Sequence, residues 1–318
     1  MTRPRQHARA FSLVELLLVI VVIFMLMGLL LGGFRFARGY AKRAADRTTV
    51  KSLQQAVSYF QQQMGFLPPL VKDQGDPPGY SGGPIRTAGG ENRPDVFLNS
   101  VANDLEFLRT NPLPDDPDYR FSLYSFPYYL LGACEVSRTT APSNPPVPID
   151  GVPGPGMFAA KRDGAFERAG QRFEPFFDTA RNAKAVVTVD AANGRVELRD
   201  SNNVAFRYYR WENGKATAGA NGTPGPIGSV NNEADLNIPI ILGDRDDLKG
   251  AKYAIVAAGP DGVFGNEDQI YVRAPNHPQA MTREAMAIKL GISTPTTQPE
   301  IDRMRARAMQ DNIVEVGK

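Results

Sequence analysis

Late in the chain the sequence reads AGPDGVFGNEDQI, residues 258–270, which crowds hard oxygen donors into one short loop: Asp261, Asn266, Glu267 and Asp268. Calcium is held by about six to eight such oxygens, from carboxylates, amides and backbone carbonyls. Gly262 and Gly265 allow the loop to curl until carbonyls face inward. The D-x-D-x-D-G spacing of an EF-hand is missing. The same residues support a plainer reading, because Pro-Asp-Gly is a turn signature and acidic loop tips are ordinarily just solvated. A second carboxylate stands out for the opposite reason. Glu15 is the only charged residue between Phe11 and Phe34, a segment otherwise almost wholly apolar. A charge inside a bilayer costs about 2.5–3.5 kcal/mol on insertion scales, so it is normally paired, functional, or snorkelled to the headgroups.

Other chemistries find little support. The chain has 2 histidines, His7 and His277, and lacks a G-x-S-x-G elbow, a phosphate-binding P-loop and an H-E-x-x-H zinc motif, so no enzyme activity is expected. GDRDD at Gly243–Asp247 reads as a solvated turn. A single Cys134 excludes both an internal disulfide framework and a cysteine-based zinc site. A formal net charge of +2 gives no reason to expect a nucleic-acid partner.

The elements that must carry these carboxylates can be read from pattern. Phe11–Phe34 matches the about 20 apolar residues that span a roughly 30 Å hydrocarbon core. Arg3, Arg5 and Arg9 favour a cytoplasmic N-terminus, but Arg35, Arg38, Lys42, Arg43 and Arg47 follow the segment, so charge bias alone leaves the topology open. A removable signal peptide has a shorter apolar region of about 7–15 residues with its small-residue cleavage site after it. Here the small residue, Ala10, precedes the run. Helical periodicity continues through Tyr40, Ala44, Leu53, Val57, Phe60 and Met64 and stops at Gly65, Pro68 and Pro69. That predicts one helix of about 50 residues, roughly 80 Å long.

With 30 glycines and 26 prolines the remainder is expected to be rich in turns. Between 66 and 182 the chain reads as loop-rich, with a short amphipathic helix in DVFLNSVANDLEFLRT and a strand followed by a buried segment in FSLYSFPYYLLGA. Strand signals then sharpen. KAVVTVDAANGRVELRD has an Asn-Gly turn between β-prone runs. NVAFRYYRW alternates as a strand with one buried face does, and Tyr253–Ala257 and Gln269–Arg273 read as two further strands flanking the acidic loop. The final forty or so residues read as a charged helical tail, peripheral to the fold.

RAFSLVELLLVIVVI resembles the class III leader junction of type IV prepilins and type II secretion pseudopilins. The resemblance implies cleavage between Ala10 and Phe11 by a prepilin peptidase, methylation of the new N-terminus at Phe11, and an assembly role for Glu15 as the acid at the fifth mature position. This chain departs from the family at Ala10, where glycine is usual; alanine is nearest in size, and slower processing is the expected consequence. Glu15 lies one helical turn from the amine that cleavage creates, and in the family fibre that carboxylate is thought to meet the amine of a neighbouring subunit. The acidic loop in turn resembles the C-terminal calcium loop of the major type II secretion pseudopilin. By that resemblance Asp261 and Asp268 bracket a calcium ion, Asn266 gives a third side chain, and carbonyls near Ala258 and Gln269 complete the sphere.

The implied fold is α+β: a long N-terminal helix packed on a C-terminal antiparallel sheet, as in pilins. Its expected parts are a cytoplasmic leader (1–10), a transmembrane half-helix (11–34), an amphipathic half-helix (35–65), a variable region (66–182), a sheet with the calcium-like loop (183–275) and a helical tail (276–318). The implied protein is a structural subunit in the inner membrane, single-pass with its C-terminal part in the periplasm, joining a type II secretion pseudopilus. Its expected partners are the prepilin peptidase, other pilin or pseudopilin copies, and the inner-membrane assembly platform. Two alternatives stay open: a type IV pilus subunit, major or minor, and a membrane-anchored periplasmic binding domain that never polymerises.

Overall fold

The computed structural model describes residues 13–71, 96–98, 121–132, 135–136, 147–148, 150–161, 164–180, 185–189, 196–210, 240–242, 245–248, 250–273 and 277–317. The chain divides into two compact units, Met1–Ala44 and Ala45–Lys318. Helix α1 covers Leu13–Met64. In the first unit its described large apolar side chains face solvent, with Leu13 at 78% exposure and Met27 at 54%. Among the described residues no helix is long and apolar enough to cross a membrane.

In the second unit α1 becomes a core element. Val50, Leu53, Val57 and Phe60, spaced three and four apart, are all completely buried, whereas Ser58 and Tyr59 between them lie on the outer face. Phe60 meets Phe66, Tyr129 and Phe176 edge-on, with ring centroids 5.4–5.9 Å apart. The helix ends at Gly65, whose φ of +79° is a left-handed conformation that glycine adopts without strain. Its N–H donates back to the Gln61 carbonyl at 2.8 Å. Pro68 and Pro69 forbid any continuation.

Strands are short and mostly paired as isolated antiparallel ribbons. Strand β1 (Leu70–Val71) pairs with β2 (Val96–Leu98). After β3 (Phe121–Ser122) a wholly buried π-helical turn follows at Pro127–Leu131. Next come the pairs β4 (Glu135–Val136) with β5 (Val147–Pro148), β6 (Met157–Phe158) with β7 (Arg172–Phe173), and β8 (Val186–Val189) with β9 (Val196–Arg199). The largest sheet adds β10 (Arg207–Arg210), β11 (Tyr253–Ala257) and β12 (Ile313–Gly317) to β3, in the antiparallel order β12-β11-β10-β3. Three helices lie between its last two strands: α2 (Glu267–Arg273), α3 (Arg283–Leu290) and α4 (Gln298–Met309). The architecture is therefore mixed helix and antiparallel sheet, an α+β fold.

Several expectations need correction. Gln269–Arg273 is helical, not a strand: the Ile270 N–H bonds the Asn266 carbonyl at 3.0 Å, so the chain coils directly out of the acidic loop. Ile270 is buried while Tyr271 and Val272 are exposed, a helical distribution despite their β-prone types. The expected one-sided strand β10 is buried on both faces: Arg207 to Arg210, which alternate between them, are all covered. Val96–Leu98, expected within a short helix, is the strand paired with β1; the remainder of that predicted helix lies outside the described residues. The tail is not peripheral. Ile301, Met304 and Ala308 of α4 are buried, and β12 pairs with β11 along its whole length. The sheet thus draws strands from outside 183–275, at residues 121–122 and 313–317.

The outer edge of β12 does not stay open. Its Val316 carbonyl accepts from Gln54 Nε2 of α1, and its Val314 carbonyl from Arg245 Nη1 at 3.4 Å. Side-chain donors thereby occupy acceptors that would otherwise recruit another strand. On α1, buried Asp46 accepts from the backbone N–H of Ser201 (2.9 Å) and from its hydroxyl (2.7 Å), pinning the turn between β9 and β10.

If Phe60 is the keystone of the helix–core contact, Phe60→Ala is expected to cost about 3–5 kcal/mol of unfolding free energy in a denaturant titration. An unchanged midpoint and slope would show that this face of α1 is dispensable.

Candidate functional site

The acidic loop joins β11 to α2 and runs over residues 258–266. Asp261 Oδ1 accepts the Val263 N–H at 3.0 Å, and the Gly262 N–H closes on the Gly259 carbonyl at 2.9 Å, so the Pro-Asp-Gly segment forms the tight turn its composition predicts. Gly265 follows with φ +114°, where a Cβ would lie 2.7 Å from Met309 Cγ and 2.9 Å from the Arg305 carbonyl. Only glycine fits there, and the close approach lays the loop against α4. Glu267 then folds back, its carboxylate accepting the N–H groups of Phe264 and of Gly265 (2.8 Å).

The loop's oxygens are met by cations from elsewhere in the chain. Both oxygens of Asp268 accept from the Arg305 guanidinium, from Nε at 3.1 Å and Nη2 at 2.8 Å, a two-pronged pair. Arg283 Nε stands 3.8 Å from the same carboxylate. Asn266 Oδ1 accepts from Arg207 Nη1 at 2.7 Å. Loop carbonyls are capped as well: Gly259 by Asn202 Nδ2 (3.3 Å), Gly262 by Lys289 Nζ (3.2 Å) and Phe264 by Asn312 Nδ2 (2.8 Å).

Arg207 anchors the arrangement from beneath. It has no solvent exposure, and its guanidinium carbon lies 3.8 Å from the Phe264 ring centroid and 4.3 Å from that of Phe121. Besides Asn266 it donates to Tyr209 Oη (3.2 Å) and Gln279 Oε1 (2.5 Å), and Glu267 is the nearby carboxylate at 3.9 Å. A cavity of about 200 Å³ opens beside the loop, lined in part by Glu197, Arg199, Glu267, Gln279 and Lys289. Its polar groups serve each other: Glu197 pairs with Arg199 at 2.7 Å, and Gln279 Nε2 donates to the Ala205 carbonyl at 2.9 Å. What this chemistry accomplishes is positional, holding a loop through mutual neutralisation.

The residues expected to bind calcium share this loop, yet their oxygens are directed to different protein donors. Asp261 is engaged by the backbone, Asn266 by Arg207 and Asp268 by Arg305. Among the described residues no group of three or more His, Cys, Asp or Glu side chains is placed to hold a metal. Around the loop the buried side-chain atoms without a hydrogen bond include donors, Arg207 Nη2, Asn266 Nδ2 and Arg283 Nε, and an acceptor, Asn312 Oδ1. As arranged, the set does not fit a calcium ion, since any entering ion would have to displace built-in guanidinium groups.

Ala10 and Phe11, the expected processing residues, lie outside the described residues. Glu15 sits in the first turn of α1 amid exposed apolar side chains, including Val14, Leu16 and Leu18. Arg207, Arg283 and Arg305 were invisible as site residues in the sequence. The available signal was faint: Arg207 occupies a strand position flanked by aromatic residues, and Arg305 directly follows Met304 on the buried stripe of α4. No family model, no curated protein and no solved structure matches this chain.

Asp261 is pushed up to about 6 chiefly by burial and further by the Asp311 and Glu267 carboxylates, against the Val263 N–H and Lys289. Its folded pKa exceeds its unfolded one, so the native state binds the extra proton, and stability falls as pH rises through the interval from about 4 to 6. Asp261→Asn keeps the acceptor for Val263 and removes the charge. It is expected to raise stability at pH 7.5 by about 1–2 kcal/mol after allowance for solvent screening, with the gain vanishing near pH 4. A gain that is equal at both pH values would assign it to packing rather than charge.

Proposed function

We propose that this chain is a structural, pilin-like subunit that is cleaved after Ala10, methylated on Phe11 by a prepilin peptidase, and built into a type II secretion pseudopilus. It resides before assembly in the inner membrane as a single-pass protein with its C-terminal part in the periplasm. The observation that carries this reading is Glu15: one carboxylate, four residues after Phe11 in sequence, on a helix whose described apolar side chains are exposed from Leu13 onward. Apolar surface of that extent calls for lipid or for other helices. A carboxylate amid such apolar side chains suits pairing, in the fibre, with the amine released at Phe11 of an adjacent copy. A subunit inserted out of step would leave both charges unpaired in hydrocarbon, so the pair sets axial register.

The pilin-like reading of the fold belongs to the same proposal. Its support is the completely buried stripe Val50, Leu53, Val57 and Phe60, which joins one core with Tyr208, Tyr253 and Ile255 of the antiparallel sheet. Such packing leaves the rest of the helix to serve as a bundling element. The protein performs no reaction in this reading; it is a substrate of the peptidase and a building block.

The decisive experiment pairs mass spectrometry of the mature N-terminus with a Glu15→Leu variant. The expected results are a chain beginning at methylated Phe11, and a variant that inserts and is processed but falls at least about tenfold in the sheared fibre fraction. A native protein that retains its first ten residues, or normal fibres from the variant, would overturn the reading.

A further inference from the structure

We propose that the chain's own cations hold the 258–268 loop in the way a bound divalent ion would, with the Arg305 fork on Asp268 as the central contact. The inference stands on the geometry of the second unit and does not depend on whether the chain polymerises. A multivalent cation stabilises an acidic loop by two actions: it neutralises carboxylates crowded together, and it draws backbone carbonyls and side-chain oxygens to one side. For Asp268, Glu267 and Asn266 both actions are performed here by residues distant in sequence, whereas Asp261, pushed up to about 6 chiefly by burial, stays beside the Asp311 and Glu267 carboxylates. Asp268, 4% exposed, receives two hydrogen bonds from Arg305 with Arg283 behind it. Glu267 and Asn266 face the Arg207 guanidinium, sealed between two phenyl rings. The Gly262 and Phe264 carbonyls are covered by Lys289 and Asn312.

The origin of these donors gives the C-terminal segment a purpose. Arg283 and Lys289 belong to α3, Arg305 to α4, and Asn312 lies just before β12. The segment after the loop folds back over it as a clasp, with Gly265 allowing α4 to approach closely enough for Arg305 to reach Asp268. A guanidinium is suited to this task because its planar fork satisfies both carboxylate oxygens together and stays charged at any physiological pH. Loop order should therefore be indifferent to calcium and sensitive to Arg305.

The test uses the full chain kept in mild detergent, with thermal unfolding and limited proteolysis as readouts. Wild-type protein is expected to melt at the same temperature, within about 1 °C, in EDTA and in 5 mM calcium chloride. Arg305→Gln, which strands a buried carboxylate, is expected to lower the melting temperature by about 5–10 °C and open a protease site within the loop. Arg305→Lys, which keeps the charge but not the fork, is expected to fall between the two, and it is the variant to read should Arg305→Gln fail to fold. A wild-type melting temperature that drops in EDTA and returns with calcium would overturn the proposal, as would Arg305 variants indistinguishable from wild type in both readouts.

Discussion

The second unit is organised around a positive charge that has no access to water. Arg207 sits on β10, inside the largest sheet, and a guanidinium there is tolerable because phenyl rings, three hydrogen-bond acceptors and a nearby carboxylate surround it. Phenyl rings cover its two faces, and around its plane it meets Asn266, Tyr209 and Gln279, with Glu267 beyond. Those partners come from β3, from β10 itself, from the loop after β11 and from the segment preceding α3. One buried charge thus dictates how four separated stretches of chain must meet. Removing any partner would leave an unsatisfied group in a low-dielectric interior, which specifies the arrangement more sharply than apolar packing does.

The first unit obeys a different constraint. There α1 shows apolar side chains on all sides, so no face is set apart for a protein core. In the second unit the same helix buries a narrow stripe and leaves Lys51 and Tyr59 outside. The described side chains of the first portion are thus exposed and mostly apolar, whereas those of the latter divide into a buried stripe and an exposed outer face.

Local signals were legible in the sequence, and nonlocal ones were not. The β8–β9 pairing follows from an Asn-Gly turn between β-prone runs, and β11 from an uninterrupted apolar stretch, Tyr253–Ala257. The end of α1 at Gly65 needs only the residues adjacent to it. By contrast, the identity of α2 depends on the Asn266 carbonyl and on Glu267 folding back onto Phe264 and Gly265, so intrinsic β preference at Ile270 and Val272 is overridden. Strand β12 was missed because Ile-Val-Glu-Val after a helix carries no turn signal, and its partner is some sixty residues earlier. The acid-rich loop itself was evident from composition. Which cations serve it was not, since Arg207, Arg283 and Arg305 are brought to it only by the tertiary fold.

This division bears on how a donor-rich loop is read. Composition records the oxygens but is silent on what they bind, and a carboxylate satisfied by a guanidinium has the same local sequence as one awaiting a metal. The distinguishing information lies in the segments that return. Here α3, α4 and the residues leading to β12 return across the loop, and their last strand then closes the sheet beside β11. Clasp and edge strand are one continuous piece, so the energy that zips β12 onto β11 also holds Asn312 against the Phe264 carbonyl and α4 within reach of Asp268. Loop order and sheet completion are consequently coupled: neither can be lost without weakening the other.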